Sequence, residues 1–137
     1  MQITKQADYA LRAVLYLARI DDGSKASTKD IAETQHIPPS FLAKIVSQLS
    51  IAGLIQTARG ARGGVALARP AEQVSILDVI EAIDGPMLLN ECTGNPHICP
   101  FEGKCPLYEV WCETRKMIHD KLSAATFATE NVQPVGL

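Results

Sequence analysis

Apolar side chains recur at Ile3, Ala7, Leu11, Val14, Leu15 and Ala18, in steps of three and four that gather them on one side of a helix. Thr4 is the expected N-cap, and the helix is predicted to run to about Arg19, where Asp21-Asp22-Gly23-Ser24 ends it. Thr28 is placed as the cap of a short helix, Lys29 to Thr34, with Ile31 and Ala32 facing inward. A tight break at His36-Ile37-Pro38 follows. Pro39 suits the first turn of a third helix, where its missing N–H costs nothing. That helix is predicted to reach about Ala52, to bury Phe41, Leu42, Ile45, Val46 and Leu49, and to stop at Gly53.

The pattern then changes period. Residues 54–57 and 65–67 read as two short strands around the glycine-rich turn Arg59-Gly-Ala-Arg-Gly-Gly64, which makes a hairpin. Ser75 caps a further amphipathic helix, Ile76 to Ile83, closed by Asp84-Gly85-Pro86. Residues 92–105 form a cysteine-bearing loop. Pro106 is expected to open a last helix to about Phe127, whose Leu107, Val110, Trp111, Met117, Ile118 and Leu122 exceed what a 70-residue domain needs to cover. The fold class is therefore mainly α with a small β-hairpin wing: a winged helix-turn-helix over 1–70, a linking helix and cysteine loop over 71–105, a dimerisation helix over 106–127, and a tail over 128–137.

Composition adds a charge asymmetry. The chain carries 47% apolar residues and a net charge of −2, an ordinary soluble profile. Residues 1–70 hold nine Lys/Arg against five Asp/Glu, a net of +4, whereas residues 71–137 hold four against ten, a net of −6. Only the first half is expected to meet a polyanion. The longest apolar stretch, Ala10 to Ile20, is broken by Arg12 and Arg19, and no signal-peptide pattern is seen. A cytoplasmic protein without a membrane partner is expected.

Helix, short helix, break, helix and basic hairpin is the order of a winged helix-turn-helix, in which one helix projects into a major groove. The outward face of the third helix shows Ser40, Ala43, Lys44, Ser47 and Gln48. Gln48 suits an adenine edge, Lys44 a guanine or a phosphate, and Ala43 a thymine methyl. Arg59 and Arg62 at the hairpin tip are placed to reach phosphates or the neighbouring minor groove. Taken singly, the same residues also read as a solvated helix face and a plain turn. Double-stranded DNA is the expected partner.

With these elements in place the sequence resembles the Rrf2 family of bacterial winged-helix regulators over nearly its whole length. The matching stretches are MQITKQADYALRA at 1–13, Ile31-Ala32, Phe41-Leu42 with Lys44-Ile45 and Leu49, Gly53-Leu54, Arg59-Gly60 with Gly63-Gly64, and Ile76 with Asp78-Val79. Cys92, Cys99 and Cys105 before a C-terminal helix complete the match. The resemblance implies a homodimer joined through the last helix, and an iron–sulfur cluster whose state controls DNA binding. Pro38 stands where the family often has serine, so a side-chain contact there is lost. Tyr108 stands where the iron–sulfur biogenesis regulators carry histidine. The nitric-oxide-sensing branch supplies a carboxylate from the partner's first helix, and Asp8 occupies that position.

The thiols also speak through their chemistry. Four cysteines lie within 21 residues in the spacing C-x6-C-x5-C-x6-C, which is neither a zinc frame nor a ferredoxin run. In an intracellular chain such clustering points to metal or redox chemistry. Cys92, Cys99 and Cys105 on one loop can converge on one face of a two-iron or four-iron cluster. Cys105 is read as a helix N-cap, where the helix dipole favours the thiolate. Cys112, two turns further on, reads as a packed core cysteine, with a ligand role as the alternative. Asp8 reads equally as an ion pair with Arg12 at i+4, and His97 as solvent-facing or a ligand. A cluster-free or zinc-bound thiol switch is the competing regulator. A small redox enzyme is disfavoured because there is no C-x-x-C and no nucleophile–base pair.

Overall fold

The computed structural model describes residues 2–20, 24–61, 63–101 and 104–128. Thr4 opens helix α1 (Lys5–Arg19) as expected: its Oγ1 accepts from the Ala7 N–H at 3.1 Å. Ala7, Ala10, Ala13, Val14 and Leu17 form the buried face. Helix α2 spans Thr28–Gln35, and its N-cap is Ser27, whose side chain accepts from the Asp30 N–H. Thr28 is thus the first helical residue instead of the cap. Both hydroxyls suit capping, and the one with extended backbone took the role.

Helix α2 ends on His36, which adopts a left-handed conformation with φ 53°. That conformation reverses the chain within a residue and lets Ile37, buried, donate to the Ala32 carbonyl at 2.9 Å. Helix α3 spans Pro39–Ile51, with Pro39 in its first turn and no side-chain cap at Pro38. Leu42, Ile45 and Leu49 are fully buried, whereas Phe41 is 42% exposed. Phe41 was expected inside. It instead lies against Tyr9 of α1, ring centroids 5.9 Å apart, at the edge of the core.

Strands β1 (Ile55–Ala58) and β2 (Gly64–Leu67) pair antiparallel, Ile55 opposite Leu67 and Ala58 opposite Gly64. Ala26 exchanges two backbone hydrogen bonds with Val65, of 2.9 and 2.8 Å, and so ties the hairpin to the segment before α2. Helix α4 (Ile76–Asp84) starts with a full capping box: Ser75 accepts from the Asp78 N–H while Asp78 accepts from the Ser75 N–H.

The last helix, α5, spans Tyr108–Ala124, shorter at both ends than the expected 106–127. Pro106 and Leu107 form a turn before it. Beyond it the chain folds back: Ile76 donates to the Ala125 carbonyl at 2.9 Å and Phe127 to the Val74 carbonyl at 3.1 Å. Phe127 is 1% exposed and packs in the core with Val14, Leu42, Ile45 and Val79. Helix-turn-helix plus hairpin is a winged helix-turn-helix, and α1, α4 and Phe127 complete its core. Among the described residues no helix is long and apolar enough to cross a membrane.

Candidate nucleic-acid interface and thiol site

Burial of Leu42, Ile45 and Leu49 fixes which side of α3 faces outward. Ser40, Ala43, Lys44 and Ser47 are exposed on it, and Gln48 is half-buried beside them. The Gln48 Oε1 is buried with no hydrogen-bond partner among the described residues. A buried amide oxygen without a partner is costly, and rotation of this side chain toward a base edge would give both amide atoms partners.

The hairpin tip is built for close backbone approach. Gly63 donates to the Gly60 carbonyl at 2.9 Å, and a Cβ on Gly63 would lie 2.3 Å from the Ala58 carbonyl oxygen. Only glycine closes the turn this tightly. Arg59 is exposed at the base of the tip. Arg62 lies outside the described residues. Arg69, just past β2, donates from Nε to the Gly53 carbonyl at 3.3 Å, so the hairpin is also pinned to the end of α3.

Helix α1 holds the reading unit from behind. The Arg12 guanidinium donates to the Gln35 carbonyl at 2.7 Å, at the end of α2. It also lies 4.9 Å over the Tyr9 ring and pairs with Asp8 at 3.3 Å. Of the two roles read for Asp8, the intrahelical ion pair is the one seen in the single chain, and the carboxylate remains exposed. The Arg12 contacts were not anticipated. A basic residue at i+4 from Asp8 was visible in the sequence, but its reach to residue 35 depends on tertiary packing.

The cysteine loop leaves α4 through Met87, whose N–H donates to Glu81 Oε1 at 3.4 Å. Two one-turn 3-10 helices, Glu91–Thr93 and Pro96–Ile98, shape it. Thr93 is buried and its Oγ1 donates to the Asn90 carbonyl at 2.8 Å, while the Cys92 thiol donates to Asn90 Oδ1 at 3.4 Å. His97 is exposed. Cys105 is not the N-cap of α5: that position belongs to Leu107, so the dipole argument for Cys105 lapses. Cys112 is not a core residue either. No residue of α5 is buried: among the described residues one flank of the helix rests on the protein, through Ile118 and Leu122 against Leu77, Ile80 and Met87. The phenol of Tyr108 is raised above its ordinary pKa, first by a hydrogen bond with the Cys112 thiol and then by desolvation, with Cys112 and Cys92 as further electrostatic influences.

Cys92, Cys99, Cys105 and Cys112 are all free thiols and all half-buried. The donor set fits an iron–sulfur cluster, since soft thiolates on an accessible loop are its usual ligands. The loop as it stands does not assemble them: among the described residues no group of three or more His, Cys, Asp or Glu side chains is close enough to hold a metal ion. Binding would have to draw the loop together, as metal sites commonly do on loading.

Fold and exposed recognition face together define a DNA-binding transcription regulator of winged helix-turn-helix type. The chain belongs to the Rrf2 family: the family model described as an iron-dependent transcriptional regulator matches residues 3–129. A protein of Mycobacterium tuberculosis named as an HTH-type transcriptional regulator is 36% identical over 129 residues, 93% of this chain and 80% of that one. The solved structure of CymR, the global cysteine regulator of B. subtilis, superposes with a TM-score of 0.74 at 26% identity, covering 93% of this chain and 94% of that one. IscR of T. potens gives the same TM-score and identity over 93% of this chain and 84% of its own.

Proposed function

We propose that this regulator works as a homodimer on a pseudo-palindromic operator in the cytoplasm. In this reading an iron–sulfur cluster, held by Cys92, Cys99 and Cys105 with Asp8 of the partner subunit, sets its DNA affinity. Residues 1–70 read DNA, residues 71–105 carry the ligand loop, and residues 106–127 join the two copies. The observation that carries the reading is the division of labour along α5. One flank rests on the protein and on the thiol loop, while Val110 and Met117 on the other are 51% and 72% exposed. A second copy of the chain is the natural cover for that stripe.

When bound, the cluster supplies a redox- and nitric-oxide-sensitive centre. The chain's own residues supply the coupling. Asp8 cannot hold Arg12 and serve as a ligand at once, and Arg12 contacts the end of α2 and, through Tyr9 and Phe41, the start of α3. A change at Asp8 therefore reaches the recognition unit through one guanidinium. Ser40, Lys44, Ser47, Gln48, Arg59 and Arg62 make the DNA contacts.

Three substitutions and one reconstitution test this reading. Met117→Glu should split the dimer, which sedimentation at micromolar concentration detects; a wild-type monomer would remove the two-fold operator altogether. Gln48→Ala should relax preference by about 1–3 kcal/mol at one base pair. Arg62→Ala should weaken all sequences alike and reduce the slope of log affinity against log salt by about 1. Equal loss on operator and random DNA for Gln48→Ala would overturn its reading role. For the cluster, anaerobic reconstitution with iron and sulfide followed by a visible spectrum decides between a coloured centre and a colourless zinc or bare-thiol switch.

A further inference from the structure

Cys112 stands outside the ligand set just proposed, and the structure gives it a neighbour. Arg115 clamps the thiol loop to α5, its Nε donating to the Met87 carbonyl at 2.9 Å and its Nη1 to the Thr93 carbonyl at 3.4 Å. Cys92 lies between these two anchors, on the 3-10 turn Glu91–Thr93, whose Cα atoms approach those of α5 within 8 Å. Tyr108, Cys112 and Arg115 follow at steps of four and three, so their side chains share the loop-facing flank of the helix. The Tyr108 phenol is held above its ordinary pKa by Cys112 first and by Cys92 as a further electrostatic influence, in keeping with that placement. Neither thiol is buried in the core. Val110 and Met117 lie about 140–160° around the helix from Cys112 at 100° per residue, so a second copy seated on that stripe leaves the thiol pair uncovered.

We propose that Cys92 and Cys112 are a dithiol modification site, converted to an intramolecular disulfide by a low-molecular-weight disulfide of the glutathione class. The thiolate of one cysteine attacks a sulfur of the small disulfide, forming a mixed disulfide and releasing one thiolate. The second cysteine then attacks the protein sulfur of that mixed disulfide, forming the Cys92–Cys112 bond and releasing the second thiolate. The two protons lost by the protein end on the two released thiols; the protein gives up two electrons and the small disulfide gains them. The bond joins two elements already in contact, and its formation requires the two Cα atoms to settle about 4.4–6.8 Å apart. Its formation does not depend on the cluster reading. Where that reading holds, oxidation withdraws Cys92 from the ligand set, so the two states exclude one another.

The test uses the full-length chain, freed of iron by a chelator and equilibrated with oxidised glutathione. Free thiols are then alkylated, and linked peptides are identified by tandem mass spectrometry without reduction. The expected result is loss of two of the four thiols, a monomer-sized band on a non-reducing gel, and a Cys92–Cys112 linkage that reverses with dithiothreitol. Cys112→Ser should abolish the linkage, whereas Cys99→Ser and Cys105→Ser should keep it. Should a serine variant fail to fold, the wild-type linkage map decides alone. Four thiols still alkylated, a link from Cys92 to Cys99 or Cys105, or a bond between two copies would each overturn the proposal. Failure of the cluster reading appears separately, as absence of colour on reconstitution.

Discussion

Alanine at Cys92, Cys99 or Cys105 is expected to leave the protein colourless after anaerobic reconstitution with iron and sulfide, whereas alanine at Cys112 keeps the colour. The three loop thiols sit before α5 on a segment shaped by short 3-10 turns and tied to the helix by Arg115, which can close around a cluster. Cys112 is fixed on a helix. The helix begins only at Tyr108, three residues beyond Cys105, so Cys112 cannot move with the loop as it closes unless α5 unwinds. Asp8→Ala should keep the colour and change only how DNA affinity depends on it, because a carboxylate is the harder and weaker ligand for such an iron. A folded but colourless Cys112→Ala dimer would reassign the fourth ligand.

Phe127→Ala is expected to destabilise the fold by about 3–5 kcal/mol, the usual cost of emptying a large buried aromatic site. Phe127 is 1% exposed and fills space between α1, α3 and α4. Its segment also contributes the backbone bonds that hold the end of α5 to residues 74–76. Chemical denaturation checks the figure; a loss below about 1 kcal/mol would mean that the surrounding core collapses onto the vacated site.

Phe127 also shows where reading the sequence reaches its limit. The periodic elements were legible because helices and strands advertise themselves through spacing: Thr4, Ser75, Pro39 and Gly53 mark helix boundaries by local backbone chemistry, and the hairpin follows from its glycines. Gly53, with φ 76°, does occupy the turn after α3. Phe127 reads locally as one more apolar helix position, since nothing nearby signals that the chain turns back to pair with Val74. Ser27 and Thr28 are adjacent hydroxyls with the same capping chemistry, so the sequence could not rank them. Cys112 misled for a similar reason. A cysteine among Val110, Trp111 and Leu107 has a core composition around it, but α5 presents much of that apolar surface outward. The outward face of α3 was the most legible part of the candidate site, because burial of Leu42, Ile45 and Leu49 on one side dictates what faces outward on the other. The loop thiols were legible as a donor set, but spacing alone did not say that the loop holds them apart, with no metal-holding group among the described residues.

The most direct test is the DNA affinity of one wild-type preparation measured anaerobically with and without its reconstituted centre, at one salt concentration. The DNA is an operator selected from random sequence. The account predicts a dimer spanning two half-sites about one helical turn apart. It also predicts an affinity that differs at least tenfold between the two forms, about 1.4 kcal/mol of coupling. Equal affinity in the two forms, on a site the dimer demonstrably occupies, would contradict it.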